Sequence, residues 1–121
     1  MNRHGEMKFS WDKNLLTVHT KGQFNLEGFK YGFSQLQNTV LNNPYDTWQR
    51  LQVLDDETMA SPEVIEYGKA TWAWCFDNGC THFAFVVANA LQMHILNNSA
   101  SSKVKAFTTI EEAKKWLNEV G

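Results

Sequence analysis

Hydrophobic positions along the chain follow two periods in turn, one typical of strands and one typical of helices. Residues 7–11 and 15–21 alternate between apolar and polar types, and turn-forming residues lie between them, which predicts a β-hairpin. The next segment repeats its apolar residues at spacings of three and four behind Asn25, a suitable N-cap, and predicts a long helix. Pro44 follows this pattern and ends it, because proline supplies no amide hydrogen.

Strands and helices then alternate to the end of the chain. Ser61 and Pro62 form a strong helix start, since serine caps a helix and proline suits its first position. Gly79 is well placed to end this second helix in the left-handed conformation. Residues 109–112 form a capping box that opens the last helix. Strands are predicted at 48–54, 81–87 and 103–107, and further helices at 62–78, at 90–96 and from 109 onward.

An opening hairpin followed by alternating strands and helices predicts a single α/β domain over residues 1–121. We expect a mostly parallel sheet of about five strands with four helices. The apolar run at 81–87 is typical of a central strand that is covered on both faces. These patterns leave flavodoxin-like, receiver-like and STAS-like arrangements open.

The element order resembles that of the STAS domain, the anti-sigma-factor-antagonist fold of the SpoIIAA-like group. The phrase from Phe107 to Leu117, FTTIEEAKKWL, carries the same resemblance. In that group a phrase of this shape, with Phe, a short gap, Glu-Glu-Ala and then Trp-Leu, commonly closes the domain. The resemblance implies SpoIIAA-like topology, β-β-α-β-α-β-α-β-α, over nearly the whole chain.

The same resemblance bears on regulation. Antagonists of the partner-switching type carry an Asp-Ser-Ser-Gly-like phrase before the second long helix, and one serine in it is phosphorylated. The corresponding stretch here is 59–63, where Ser61 has the matching place but lacks the flanking aspartate and glycine. Ser61 is therefore a candidate phosphorylation site, while its ordinary role as a helix cap is the alternative.

Composition and charge restrict the classes of partner that the protein is expected to bind. A net charge of −2 gives no general attraction to nucleic acid or to an anionic membrane. The longest apolar stretch, 83–88, is too short to span a bilayer, and residues 1–6 lack the apolar core of a secretory signal. We therefore expect a cytoplasmic protein with no nucleic-acid partner and no membrane span. Cys75 and Cys80 are then expected to be reduced, with Cys75 as a small buried hydrophobe.

Motifs that carry catalytic chemistry are not evident in the chain. The four histidines do not fall at metal-ligand spacing, and no serine lies in a nucleophile elbow. Asp55 and Asp56 follow a predicted strand, where carboxylates could hold Mg²⁺ or accept a phosphoryl group, although a solvated loop is the more ordinary interpretation. We expect a protein that is not an enzyme and has no metal and no cofactor.

The helix at 62–78 is the most informative segment. Tyr67 and Trp74 widen its apolar arc to roughly 200°, against the stripe of about 100° that is typical of a surface helix. Two large aromatics beside a core face indicate a surface for a partner or ligand, unless another part of the chain covers them. Gly68 would let a ligand or another backbone come close, or would only relieve crowding against the sheet.

Two functional hypotheses follow. The first is a non-catalytic regulatory or interaction module that binds a protein partner, or a second copy in a homodimer, through the surface of helix 62–78. The second is a carrier of a small apolar or lipid-like ligand held between helices and sheet. Five Trp and eight Phe residues motivate the second hypothesis, and some relatives of the STAS fold are thought to bind lipids.

Overall fold

Five strands and four helices form along the chain in the computed structural model, which describes residues 3–97 and 101–121. Residues 1–2, which begin the segment that lacks the apolar core of a secretory signal, lie outside this range. The bounds agree with the sequence predictions to about one residue, because caps and breakers are local signals. The elements are β1 (Glu6–Asp12), β2 (Leu15–Lys21), α1 (Leu26–Leu41), β3 (Trp48–Leu54), α2 (Pro62–Asp77), β4 (Cys80–Val86), α3 (Ala90–Asn97), β5 (Val104–Phe107) and α4 (Ile110–Val120).

The strands form one sheet in chain order, from β1 to β5. β1 runs antiparallel to β2, and every later neighbour is parallel. Parallel neighbours need crossover connections, which α1, α2 and α3 supply in turn. A mostly parallel five-stranded sheet with an opening hairpin and four helices confirms the predicted α/β class.

Alternate side chains of β3 and β4 enter two separate cores. On one face Leu51, Ala84 and Val86 pack against α4. On the other face Trp48 packs with α1 and α2, and Phe83 packs in a cluster with α2 and α3. Both β3 and β4 are therefore covered on both faces, as the apolar run at 81–87 predicted.

Three of the helices begin at the predicted caps. Asn25, Ser61 and Thr109 each accept a hydrogen bond through the side-chain oxygen from a backbone amide three residues later. These bonds satisfy amides that the first helical turn leaves without partners. In the part of the chain that the structure describes, no helix has both the length and the apolarity needed to cross a membrane.

The end of α2 is fixed against the start of β3. Gly79 follows the helix with a φ of +98°, which confirms the predicted left-handed stop. Its carbonyl accepts a hydrogen bond from the backbone amide of Trp48 (2.9 Å). The indole Nε1 of the fully buried Trp48 donates to the carbonyl of Asn78 (2.9 Å). Because residue 79 lies so close to β3, an added Cβ would lie 2.3 Å from the carbonyl oxygen of Asp46.

Replacing Gly79 by alanine is expected to cost more stability than replacing Gly22, although both glycines have positive φ. The left-handed backbone alone costs a side chain about 1–2 kcal/mol. A Cβ at position 22 meets nothing within 4 Å, so Gly22→Ala should lose only that amount. Gly79→Ala should lose about 3 kcal/mol or more, because of the added clash with Asp46. Urea unfolding followed by Trp fluorescence measures both, and equal losses would contradict the clash.

Candidate ligand-binding site

A cavity of about 150 Å³ lies between the sheet, α2, α3 and the loop that joins β3 to α2. It remains open because α2 presents small side chains to it at Gly68 and Thr71, and because α3 is short and packs against β5. Most of the lining is apolar. Its larger apolar residues include Phe24, Phe29, Val64, Trp72, Phe85 and Leu96.

Two polar side chains of β3 form the floor of this cavity. Arg50 and Gln52 alternate with Leu51 and so point towards α2, where they are only 5% and 6% exposed. Nη2 of Arg50 donates to Oε1 of Gln52. Nη1 of Arg50 donates to Sγ of Cys75 (3.5 Å), and the guanidinium lies 4.1 Å from the centre of the Phe83 ring.

The charge of Arg50 has no counter-ion within the described residues. Burial lowers the pKa of Arg50, but a guanidinium starts so high that it stays charged at neutral pH. Burial also raises the pKa of the Cys75 thiol, and burial with the neighbouring Cys75 raises the pKa of Cys80 to about 12, so both thiols stay neutral. No carboxylate of residues 3–97 or 101–121 pairs with Arg50, and its buried Nε has no hydrogen-bond partner there.

An unpaired buried charge is costly, and the penalty is several kcal/mol per ion even after the surroundings relax. The hydrogen bond to Gln52 and the ring face of Phe83 offset part of that penalty. Neither supplies a negative charge. The cavity therefore combines an apolar wall with a floor of uncompensated positive potential.

The loops at the carboxyl ends of β3 and β4 are held together by Gln92, which is 6% exposed and also lines the cavity. Its Oε1 accepts from the backbone amide of Ala88 (2.7 Å). Its Nε2 donates to the carbonyls of Asp55 and Thr58, each at 2.9 Å. One buried amide thus satisfies three backbone groups from two loops, which fixes the edge of the cavity.

The acidic run after β3 is part of the same edge. The Asp55 carboxylate accepts from the backbone amide of Gly22 (3.2 Å) and from the hydroxyl of Thr58. Burial alone would raise the pKa of Asp55, but hydrogen bonds from Thr58, Gly22 and the amide of Glu57 outweigh it and hold the pKa below its ordinary value. Asp56 accepts from the side-chain amide of Asn89 (3.1 Å). The geometry thus makes Asp55 a loop anchor. Among the described residues no three His, Cys, Asp or Glu side chains lie together as metal ligands could.

The two aromatic residues predicted to widen the apolar arc of α2, Tyr67 and Trp74, lie against α1. The ring of Tyr67 meets Phe29 edge to face, with centroids 5.7 Å apart, and Trp74 meets Phe33 in the same way at 5.7 Å. Both side chains remain partly exposed. Much of the wide apolar arc of α2 is therefore explained by helix–helix packing.

The other two predicted site residues lie on the same helix but in different surroundings. Ser61 is exposed, and its Oγ accepts from the amide of Val64 (3.3 Å) as the N-cap. Gly68 is buried and lines the cavity, where an added Cβ would lie 3.2 Å from Cζ of Phe29. The structure thus brings Gly68 to the cavity and leaves Ser61 at the surface.

Sequence reasoning missed Arg50, Gln52 and Gln92. A signal for the first two was present, because a strand predicted inside a parallel sheet is covered on both faces and must bury its polar residues too. Gln92 offered no such signal. Two of its three partners, Asp55 and Thr58, lie more than thirty residues away in the chain, and a glutamine on a short helix is ordinarily solvated.

A solved protein structure has the same fold as this chain. A crystal structure of an uncharacterised DUF3478-family protein with a SpoIIAA-like fold, from Shewanella loihica PV-4, superimposes with a TM-score of 0.62. The two sequences are 14% identical, and the match covers 97% of this chain and 96% of the other. No protein-family model matches the sequence, and no curated protein matches it significantly. The SpoIIAA-like topology expected from the element order and the C-terminal phrase is therefore confirmed.

Asp55 is expected to make stability fall in acid. Because its pKa is lowered by folding, the ionised form is the one that folding favours. Its contribution is therefore present above the ordinary carboxyl pKa of about 4 and is lost as the pH falls through the lower folded value. Asp55→Asn should lower stability at pH 7 and flatten the decline below pH ~4.

Urea unfolding at a series of pH values measures this effect. Asp77→Asn is the control, since it removes one exposed carboxylate from the far end of α2. An Asp55→Asn protein whose stability declines in acid as steeply as the wild type would contradict the anchor role.

Proposed function

We propose that the protein is a non-catalytic binding module that holds a small, largely apolar molecule in the cavity beneath α2. The observation that carries this proposal is an apolar cavity with a few convergent polar groups at its floor, which is the usual form of a small-molecule site. The residues placed there bind rather than react. Arg50 is a fixed cation, Gln52 is an amide, and burial keeps the thiol of Cys75 protonated.

The size of the cavity limits its occupant. A volume of about 150 Å³ is comparable to engineered apolar cavities that admit a benzene-sized molecule. Two lining residues, Met59 and Leu91, are 42% and 49% exposed and so place apolar surface at the opening. A short hydrocarbon chain or a single ring would fit, with any longer tail emerging between α2 and α3.

Narrowing the opening of the cavity is expected to weaken ligand binding strongly. Leu91→Trp adds a large ring at the cavity edge, and Leu41→Trp is the matched control because Leu41 is exposed at the end of α1, away from the cavity. With octanoate as the probe, the wild type and Leu41→Trp should bind alike, and Leu91→Trp should bind at least tenfold more weakly. Isothermal titration calorimetry measures the affinities. Equal affinity of all three proteins, or no binding of any apolar probe by the wild type, would contradict the proposal.

A regulatory or interaction module that acts through the surface of α2 is the second candidate. One observation favours it: Ser61 is exposed at the start of the helix that forms the cavity wall, so a partner there and a ligand below would act on the same element. Tyr67 and Trp74 keep part of their surface exposed and could contact a protein partner or a second copy.

Self-association through this surface can be tested at Ala70. This exposed residue lies one turn from both Tyr67 and Trp74, so Ala70→Arg would introduce a charge between them without disturbing the core. Asn118→Arg, at an exposed position of α4 on the other face of the sheet, is the control. Light scattering should find a wild-type dimer that Ala70→Arg converts to a monomer and Asn118→Arg leaves intact. A wild type that is monomeric at high concentration would exclude a homodimer.

A further inference from the structure

We propose that the cavity is selective for an amphiphilic monocarboxylate, whose charged end lies inward against Arg50 and Gln52 and whose apolar part points towards α3. This inference rests on the proposed function and adds the chemical class of the ligand. It makes Arg50 a specificity-determining residue.

The first support is the unused hydrogen-bonding capacity of Arg50. A guanidinium has five N–H groups in a planar fork. Gln52 accepts from one and the weak acceptor Cys75 from another, while the buried Nε has no partner among the described residues. The side chain is only 5% exposed, so it has little contact with bulk water. An acceptor brought by a ligand would pair with the remaining N–H groups.

The second support is the absence of a protein counter-charge in the described part of the chain. Its carboxylates are engaged elsewhere or exposed: Asp55 accepts from Gly22 and Thr58 at the cavity edge. The exposed carboxylate of Glu66 pairs at 3.7 Å with Lys69, a second cation in the lining of the cavity. The single positive charge at the floor is thus available to an anion that enters the cavity.

The third support is the match of charge and shape to a carboxylate. A guanidinium holds a carboxylate through two parallel hydrogen bonds. Gln52 accepts from Arg50 through Oε1, which leaves its NH₂ group as an additional donor at the floor. At the floor, Arg50 is a single cation and balances a single negative charge. Lys69, the other cation in the lining, already pairs with Glu66, so a phosphate dianion would keep an unpaired charge in the cavity.

Sodium octanoate and octan-1-ol test the inference, because they share an eight-carbon chain and differ in the head group. Titration calorimetry at pH 7.4 gives both affinities, and the indole N–H signal of Trp72 in NMR spectra reports whether the probe enters the cavity that Trp72 lines. The wild type should bind octanoate at least tenfold more tightly than octan-1-ol. Arg50→Met should bind the two within about twofold, because it keeps the apolar volume and removes the charge.

Two further variants keep the test decisive. Arg3→Met removes a cation that lies over the Tyr31 ring, outside this cavity, and should keep the wild-type preference. Arg50→Lys keeps the charge but loses the planar fork of guanidinium donors, so it should retain only part of the preference for octanoate. It takes the place of Arg50→Met in the test if the Arg50→Met protein does not fold.

The outcomes separate the two proposals. Wild-type protein that binds octanoate and octan-1-ol equally, or a preference that survives in Arg50→Met, would overturn the carboxylate inference and leave the proposed function standing. Binding of neither probe would overturn both. If inorganic phosphate displaces octanoate at millimolar concentration, the inferred ligand class changes from a monocarboxylate to a phosphate.

Discussion

Burial of β3 and β4 on both faces is the constraint from which the other features follow. With α4 on one side and α1, α2 and α3 on the other, a fully buried side chain of these strands is stable only if it is apolar or finds a partner inside the protein. Leu51 and Ala84 meet this demand through packing. Arg50 and Gln52 meet it in part through each other, and the remaining donors of Arg50 turn the floor of the cavity into a place for an acceptor.

Helix α2 connects this buried chemistry with the surface. Its inner side forms a wall of the cavity, its flank packs on α1 through Tyr67 and Trp74, and its capped start exposes Ser61. Small residues decide how closely its neighbours approach, since Gly68 admits the ring of Phe29. Ligand binding below and partner binding above are therefore different hypotheses about the same helix.

The carboxyl edge of the sheet shows how polar residues can be structural in a place where ligands often bind. Asp55 and Gln92 together fasten the loops after β2, β3 and β4 by hydrogen bonds to backbone groups. An acidic run at this edge suggested phosphoryl or Mg²⁺ chemistry in the sequence. In the structure, hydrogen bonds within the protein hold Asp55 in place, and the cavity lies beside these loops, beneath α2.

The sequence by itself determined the elements and their order, and its resemblance to the SpoIIAA-like group selected the topology. Capping residues such as Ser61, the break at Gly79 and the period of the apolar residues act over a few positions, so they can be read along the chain. Only the tertiary structure decided that α1 packs on Tyr67 and Trp74, that Arg50 is buried without a counter-ion, and that Gln92 joins two loops. These features depend on residues far apart in sequence, and the burial that gives a polar side chain its chemistry exists only once the layers have packed.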